Sequence, residues 1–315
     1  MTTLTASAVP AREQSRARYP DETGYVERDG VRVFWESYGS GDPTVLLMPT
    51  WSILHSRHWK LQIPYLARYY RVVTFDGRGN GRSDRPTSTA AYADTEFVAD
   101  AVAVLDAAGV DRAVIAGLSM GAGYALHMAA DHPDRVLGAV FIGSSVRMSD
   151  RPPGRITYPW AQPLDTDEGW AKYNRYFWLR DWPAFSEFFM SQIFSERHST
   201  KQIEDTVGWA LETDPETIIT AEDAPYLEPP ADWPADQRSS LAHIQRVRCP
   251  CLVIHGDDDH ISHVSGARRL AEGLGAPLVV IAGGGHAPLA RDPVKVNLLL
   301  RSFIGSACRD MAERS

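Results

Sequence analysis

One short stretch carries the residues most able to do chemistry: Val114-Ile115-Ala116-Gly117-Leu118-Ser119-Met120-Gly121-Ala122-Gly123. An apolar, β-branched run from Ala113 to Ala116 leads into Gly-x-Ser-x-Gly, and a helix-forming run from Tyr124 to Ala130 leads out. Strand, tight turn and helix form the context of a nucleophile elbow, in which strained backbone pushes a serine hydroxyl clear of the sheet top. Gly117 and Gly121 are then small because strand and helix cross closely. The same five residues also suit a glycine-rich turn with a capping serine, so the remainder of the chain decides. Two later turns offer partners: His255-Gly256-Asp257-Asp258-Asp259-His260, after the run Cys251–Ile254, and Gly283-Gly284-Gly285-His286, after Pro277–Ala282. Both follow strands at their C-terminal ends, the edge at which doubly wound sheets place their sites.

The elements that must hold these turns alternate. Tyr25–Arg28 and Val31–Trp35 flank Asp29-Gly30, a strong hairpin signal. Thr44–Met48 is a continuous apolar run, as for a strand buried on both faces of a parallel sheet. A helix is expected near Trp59–Tyr69, a strand at Arg71–Phe75, a helix at Thr95–Ala108 and a buried strand at Val136–Ile142. The alternation then stops. Residues 144–239 are aromatic and proline-punctuated, hold Trp160, Trp170, Trp178, Trp182, Trp209 and Trp233, and read as helices over about 167–180, 182–195, 198–212 and 214–223. Strands and helices resume with a helix at 264–274, a strand at 277–282 and a helix at 293–305. Alternating strands and helices imply right-handed crossovers and helices on both faces. The expectation is an α/β, doubly wound, mostly parallel sheet: a flexible arm over 1–22, a core from 23–143 and 240–315, and an inserted helical cap over 144–239.

With these pieces in order, the chain resembles a capped α/β-hydrolase over residues 24–306. The likeness rests on Gly117-Leu118-Ser119-Met120-Gly121, Asp76-Gly77-Arg78-Gly79-Asn80-Gly81-Arg82-Ser83, Gly256-Asp257-Asp258-Asp259 and Gly285-His286. It implies Ser119 as nucleophile, His286 as the base that takes its proton, and Asp259 as the acid that orients the imidazole. The family's Gly-x-x-Asp spacing selects Asp259, leaving Asp257 and Asp258 as turn residues. Asp150, beyond the strand 136–142, is the outside candidate. The oxyanion hole is implied at the Met120 and Trp51 backbone N–H groups. The family usually carries His-Gly before the second donor, where this chain has Pro49-Thr50, so whether Thr50 or the Trp51 indole touches substrate stays open. The serine at the elbow separates the chain from family members with an aspartate nucleophile. The resemblance implies an esterase, lactonase or perhydrolase-like serine hydrolase for a small to medium ester, thioester or lactone, without cofactor or metal. Acyltransfer, C–C hydrolysis and noncatalytic ligand binding use the same framework.

Other features narrow the classes. The chain has 315 residues, 23% charged and 44% hydrophobic, with net charge −8. That balance argues against a nucleic-acid surface. No run is long and apolar enough for a membrane helix, and the polar first residues lack the apolar core of a secretory signal, so the default location is cytoplasmic. The Asp76–Asp84 loop lacks Gly-x-Gly-x-x-Gly spacing and opens no helix, which excludes a dinucleotide reading. Cys249, Cys251 and Cys308 form no metal or disulfide pattern. His255, His260 and His263 cluster around an acidic turn and could suggest a metal, yet their positions are accounted for by the triad acid and the strand end. His55, His58 and Trp59 suit either the pocket mouth or a helix entrance. Of the aromatic residues, Trp51, Trp160, Phe177 and Trp178 are expected to contact substrate. The partner is a small acyl compound, the chain acting as monomer or homodimer.

Overall fold

The computed structural model describes residues 17–146, 148–224 and 233–312, with backbone only at 233–239 and 308–312. In chain order the elements are β1 (Glu22–Arg28), β2 (Val31–Tyr38), β3 (Thr44–Leu47), α1 (Ile63–Leu66), β4 (Arg71–Phe75), α2 (Asp94–Ala107), β5 (Ala113–Leu118), α3 (Met120–Asp131) and β6 (Val136–Ile142). Among the described residues four α-helices follow without a strand, α4 (Arg175–Arg180), α5 (Trp182–Ile193), α6 (Thr200–Ala210) and α7 (Pro215–Glu222). The chain continues through α8 (Trp233–Arg246), β7 (Cys251–Gly256), α9 (Val264–Leu274), β8 (Leu278–Ile281), α10 (Pro288–Arg291) and α11 (Pro293–Ala312).

The sheet has eight strands in the order β1-β2-β4-β3-β5-β6-β7-β8. Among the described residues the β1–β2 and β2–β4 pairings are antiparallel and the other five are parallel. The hairpin turns where expected: Asp29 and Gly30 both take positive φ, 50° and 76°, the backbone that Asp-Gly tolerates best. Strand alternation divides the core in two. Val45, Leu47, Val114, Ala116, Val140 and Ile142 face one side, with α1, α11 and the insert. Leu46, Ile115, Phe141, Cys251 and Val253 face the other, with α2, α3 and α9. Strand order changes direction between β3 and β5, since β3 leads to β4 on one flank and the chain returns to the other for β5. The crevice beyond the carboxyl ends of two such strands is where doubly wound sheets bind ligands.

Three boundaries differ from the sequence reading. The helix expected at 59–69 is a 3₁₀ turn, Ser56–Trp59, followed by the four-residue α1 with proline in its first turn; Pro64 has no N–H to continue a helix through it. The stretch 167–180 breaks at Tyr173, because Asn174 turns its side chain to accept from Tyr176 N (2.9 Å) and Phe177 N (3.3 Å) and so starts α4 afresh. The unexpected α8 runs through the anticipated junction at 239/240 and packs on α3 and α9 rather than on the insert. It shows no apolar stripe in sequence; among its described side chains Ile244 is buried. Of the arm expected over 1–22, residues 1–16 lie outside the described ones. Glu22 already belongs to β1, and Asp21 is tied to β2 through Ser37 O (2.9 Å) and Gly39 N (2.6 Å). No helix among the described residues is long and apolar enough to cross a membrane.

Candidate active site

Ser119 sits between β5 and α3 with φ 55° and ψ −119°. A non-glycine residue at positive φ is strained and persists only where its surroundings enforce it. Here the enforcement is close packing. A Cβ on Gly117 would lie 2.0 Å from Gly121 O, and one on Gly121 would lie 2.2 Å from Pro49 O. Glycine at both positions lets α3 cross β5 and lets the loop after β3 approach the elbow. Two hydrogen bonds draw that loop in: Met48 N donates to Ala116 O (2.9 Å), and the Thr50 hydroxyl donates to Leu118 O (3.0 Å). The Thr50 hydroxyl is thereby used, whereas the Trp51 indole N–H is buried without an acceptor. Met120 N–H opens α3 and has no intrahelical acceptor. Trp51 N–H donates to no other group among the described residues.

The Asp76–Asp84 loop proves to be a brace for this region. Asp76 accepts from Ser56 N (3.0 Å) and Arg82 N (2.9 Å). Asn80 donates to Ser52 O (3.2 Å) and Leu54 O (3.0 Å), and Ser52 Oγ returns a bond to Arg78 O (2.9 Å). Arg78 itself is clamped by Asp100 at 2.6 and 2.9 Å. Ser52, Leu54 and Ser56 are thus tied to Asn80, Arg78 and Asp76 of this loop.

His286 follows β8 and Asp259 follows β7. Their contact is 2.8 Å from Nδ1 to Oδ2, with both side chains buried. The other Asp259 oxygen accepts from Ile261 N (2.7 Å) and Ser262 N (2.9 Å). Burial by itself would raise this carboxyl, but the His286 charge and the hydrogen bonds from His255 and His286 outweigh it and hold it well below the ordinary carboxylate range. An ionised Asp259 fixes the imidazole with its proton on Nδ1. His286 Nε2 is buried and bears no hydrogen bond within the protein, so its lone pair is available. No hydrogen bond joins Ser119 Oγ to His286 Nε2; catalytic hydrogen bonds of this kind tighten in the complex with substrate.

The neighbouring candidates separate. Asp257 accepts from Gly283 N (2.6 Å) and Asp258 pairs with His260 (3.4 Å) at the surface. Asp150 is exposed and pairs with Arg269 (3.2 Å), away from His286. His263 caps α9, accepting from Ser265 N at 3.3 Å. His255, assigned by sequence to a strand end, is fully buried, and its Nε2 reaches both Asp259 Oδ2 (3.1 Å) and Ser262 O (2.8 Å). The i, i+4 spacing of His255 and Asp259 was the available signal, but only the turn geometry shows that the two side chains meet. Among the described residues no group of three or more His, Cys, Asp or Glu could hold a metal ion.

Ser119, Trp51 and Phe189 border two cavities. The smaller, about 230 Å³, also contains His286 in its wall and is lined by Leu54, Leu118, Met190, Ile193 and Leu289. The larger, about 560 Å³, opens past Tyr173, Arg151 and Glu222. Trp160, Phe177 and Trp178, expected to contact substrate, line neither. Trp178 is consumed by the core of the insert, with Phe185 at 4.5 Å, Trp160 at 4.6 Å and Tyr173 at 5.2 Å between ring centroids. Phe177 is covered by Lys172 and Arg180. Periodicity marks apolar faces but cannot distinguish a lid's own core from its cleft.

The alpha/beta hydrolase fold family matches residues 43–293. A Synechocystis sp. protein provisionally named a non-heme chloroperoxidase is 29% identical over 287 residues, 87% of this chain and 95% of its own. The 2-hydroxymuconate semialdehyde hydrolase of a Pseudomonas sp. is 27% identical over 289 residues, 88% of this chain and 92% of its own. Among solved structures, Est816, described as an N-acyl homoserine lactone degrading enzyme, superposes with a TM-score of 0.70 at 28% identity, covering 89% of this chain and all of that one.

Proposed function

The chain belongs to the alpha/beta hydrolase fold family, a hydrolase-type enzyme family, and on that premise we propose that it is a serine hydrolase for a small to medium ester, thioester or lactone, working through an acyl-enzyme on Ser119. The observation that carries this reading is the buried Asp259–His286 pair with its unpaired Nε2, bordering the same apolar cavity as the strained Ser119. His286 Nε2 takes the Ser119 proton as the oxygen attacks the acyl carbon. Asp259 stabilises the imidazolium that forms, and the imidazolium then protonates the leaving group. The developing oxyanion is met by the Trp51 and Met120 N–H groups, held adjacent by the Pro49–Gly121 approach. Water activated by His286 releases the acid. An apolar acyl portion suits the smaller cavity. The test is hydrolysis of p-nitrophenyl esters across acyl lengths, wild type beside Ser119→Ala, with fluorophosphonate labelling of Ser119. Turnover that survives the substitution overturns the reading.

The Pseudomonas relative named for a semialdehyde hydrolase favours a second reading, cleavage of a C–C bond by the same residues. Product analysis on 2-hydroxymuconate semialdehyde, beside the p-nitrophenyl esters, separates the two.

A further inference from the structure

The smaller cavity has polar neighbours that are already engaged. The Thr50 and Thr206 hydroxyls donate to Leu118 O and Gln202 O, while Lys60 and Lys201 both pair with Asp205. His58 is different. Its Nδ1 lies 2.9 Å from His55 O. A carbonyl oxygen only accepts, so Nδ1 carries the proton, and in the neutral ring Nε2 holds a lone pair. That Nε2 is buried and has no hydrogen-bond partner. The ring is 6% exposed and borders the cavity that Ser119 and His286 share. Its place is fixed by Trp59, whose ring lies 5.0 Å away and whose indole donates to Met48 O (2.8 Å).

A buried acceptor left without a donor is expensive, and native structures rarely keep one without a use. Protonation does not relieve it. Burial pushes the ring down to about 4, outweighing the His55 carbonyl, which acts the other way. At neutral pH the ring that borders the acyl cavity therefore carries an uncharged, unpaired hydrogen-bond acceptor.

We infer that His58 is a specificity-determining residue whose Nε2 accepts a hydrogen bond from a donor on the acyl portion of the substrate, so that the preferred substrates are hydroxyacyl esters or lactones rather than plain hydrocarbon ones. This rests on the acyl-enzyme reading above for the identity of the cavity. A hydroxylated acyl chain keeps its hydrocarbon against Leu54, Leu118 and Leu289 while its O–H satisfies the ring nitrogen. Replacing O–H by O–CH₃ keeps the oxygen and removes only the donor, which isolates the interaction.

The experiment compares methyl esters of short-chain hydroxy acids, the hydroxyl walked along the chain, with their O-methylated and unsubstituted counterparts. In wild type the best-placed hydroxy ester should exceed its methoxy partner by about 10- to 100-fold in kcat/KM, the usual range when a buried polar group is left unpaired. In His58→Phe that ratio should fall towards unity. Should this variant not fold, the wild-type ratio decides alone. Binding of the same pairs to Ser119→Ala, by calorimetry, separates the two readings. A hydroxyl preference in binding without turnover of any ester sinks the hydrolase reading and keeps the role of His58. Equal handling of hydroxy and methoxy compounds along the whole series, in turnover and in binding, overturns the role of His58 and leaves the hydrolase reading standing.

Discussion

Asp259 Oδ2 receives two ring nitrogens, His286 Nδ1 at 2.8 Å and His255 Nε2 at 3.1 Å. Because His255 Nε2 also reaches the Ser262 carbonyl, it is the protonated nitrogen, and Asp259 is anchored from behind as well as by the Ile261 and Ser262 amides. Two expectations follow at this scale. Asp259→Asn should lower kcat by about 10⁴-fold, as when a triad aspartate is made neutral in a serine protease; a near-wild-type rate would remove Asp259 from the acid role. His255→Leu should lower kcat about 10- to 100-fold with little change in KM, the value of one hydrogen bond to a buried charge. His255→Gln restores an amide donor and should recover much of that loss. If Leu and Gln behave alike in kcat, His255 does not position the carboxylate.

At the scale of elements, the site depends on one crossing. β5, α3 and the loop after β3 meet where a single added carbon would overlap backbone, 2.0 Å from Gly121 O for Gly117 and 2.2 Å from Pro49 O for Gly121. Backbone cannot rotate away as a side chain does. Gly121→Ala should therefore cost about 1–3 kcal/mol of stability and at least as large a share of activity, since Trp51 and Met120 N–H groups separate together. Urea unfolding beside ester kinetics measures both, and an unperturbed variant would refute the crossing as the constraint. The insert obeys a different rule. Its rings stack on one another, so Trp178→Ala should cost about 3–5 kcal/mol through the cavity it leaves, although Trp178 borders no substrate cavity. A loss of activity in that variant without loss of stability would contradict this placement.

Across the whole molecule, two buried histidines tie stability to pH. His58 and His127 are each pushed down to about 4, by burial first; for His127 the neighbouring His243 ring, 4.3 Å away, adds to it. Their ordinary value is 6.5. Between 6.5 and 4 the unfolded chain binds protons that the folded one refuses, so unfolding becomes easier as pH falls through this window. Stability contributed above 6.5 is thus lost towards 4, by about 2 kcal/mol per ring between pH 7 and pH 5. Urea midpoints at the two pH values test it; a midpoint that holds at pH 5 rules out the neutral burial of both rings. Asp259, held low, adds to the loss only at still more acid pH.

Much of the architecture was legible because it is local. Asp29-Gly30 sets a hairpin, uniform apolar runs set buried parallel strands, and Gly-x-Ser-x-Gly between strand and helix sets the elbow, each through backbone preferences that neighbouring residues impose. The order Ser119, Asp259, His286 was likewise available from the chain, and the structure adds the Asp259–His286 contact that the order only implied. What tertiary structure alone decided concerns which side chains share a space. Trp160, Phe177 and Trp178 are aromatic residues of the same insert as Phe189 and Tyr173, yet only the latter two line the cavities beside Ser119, because the first three are spent on the insert's own core. The histidines diverge for the same reason: His255 and His58 turn inward to Asp259 and to the cavity wall, whereas His260 meets solvent and His263 caps a helix. Sequence specifies residue type and local conformation; the partner of a buried polar atom is settled only when distant segments close around it.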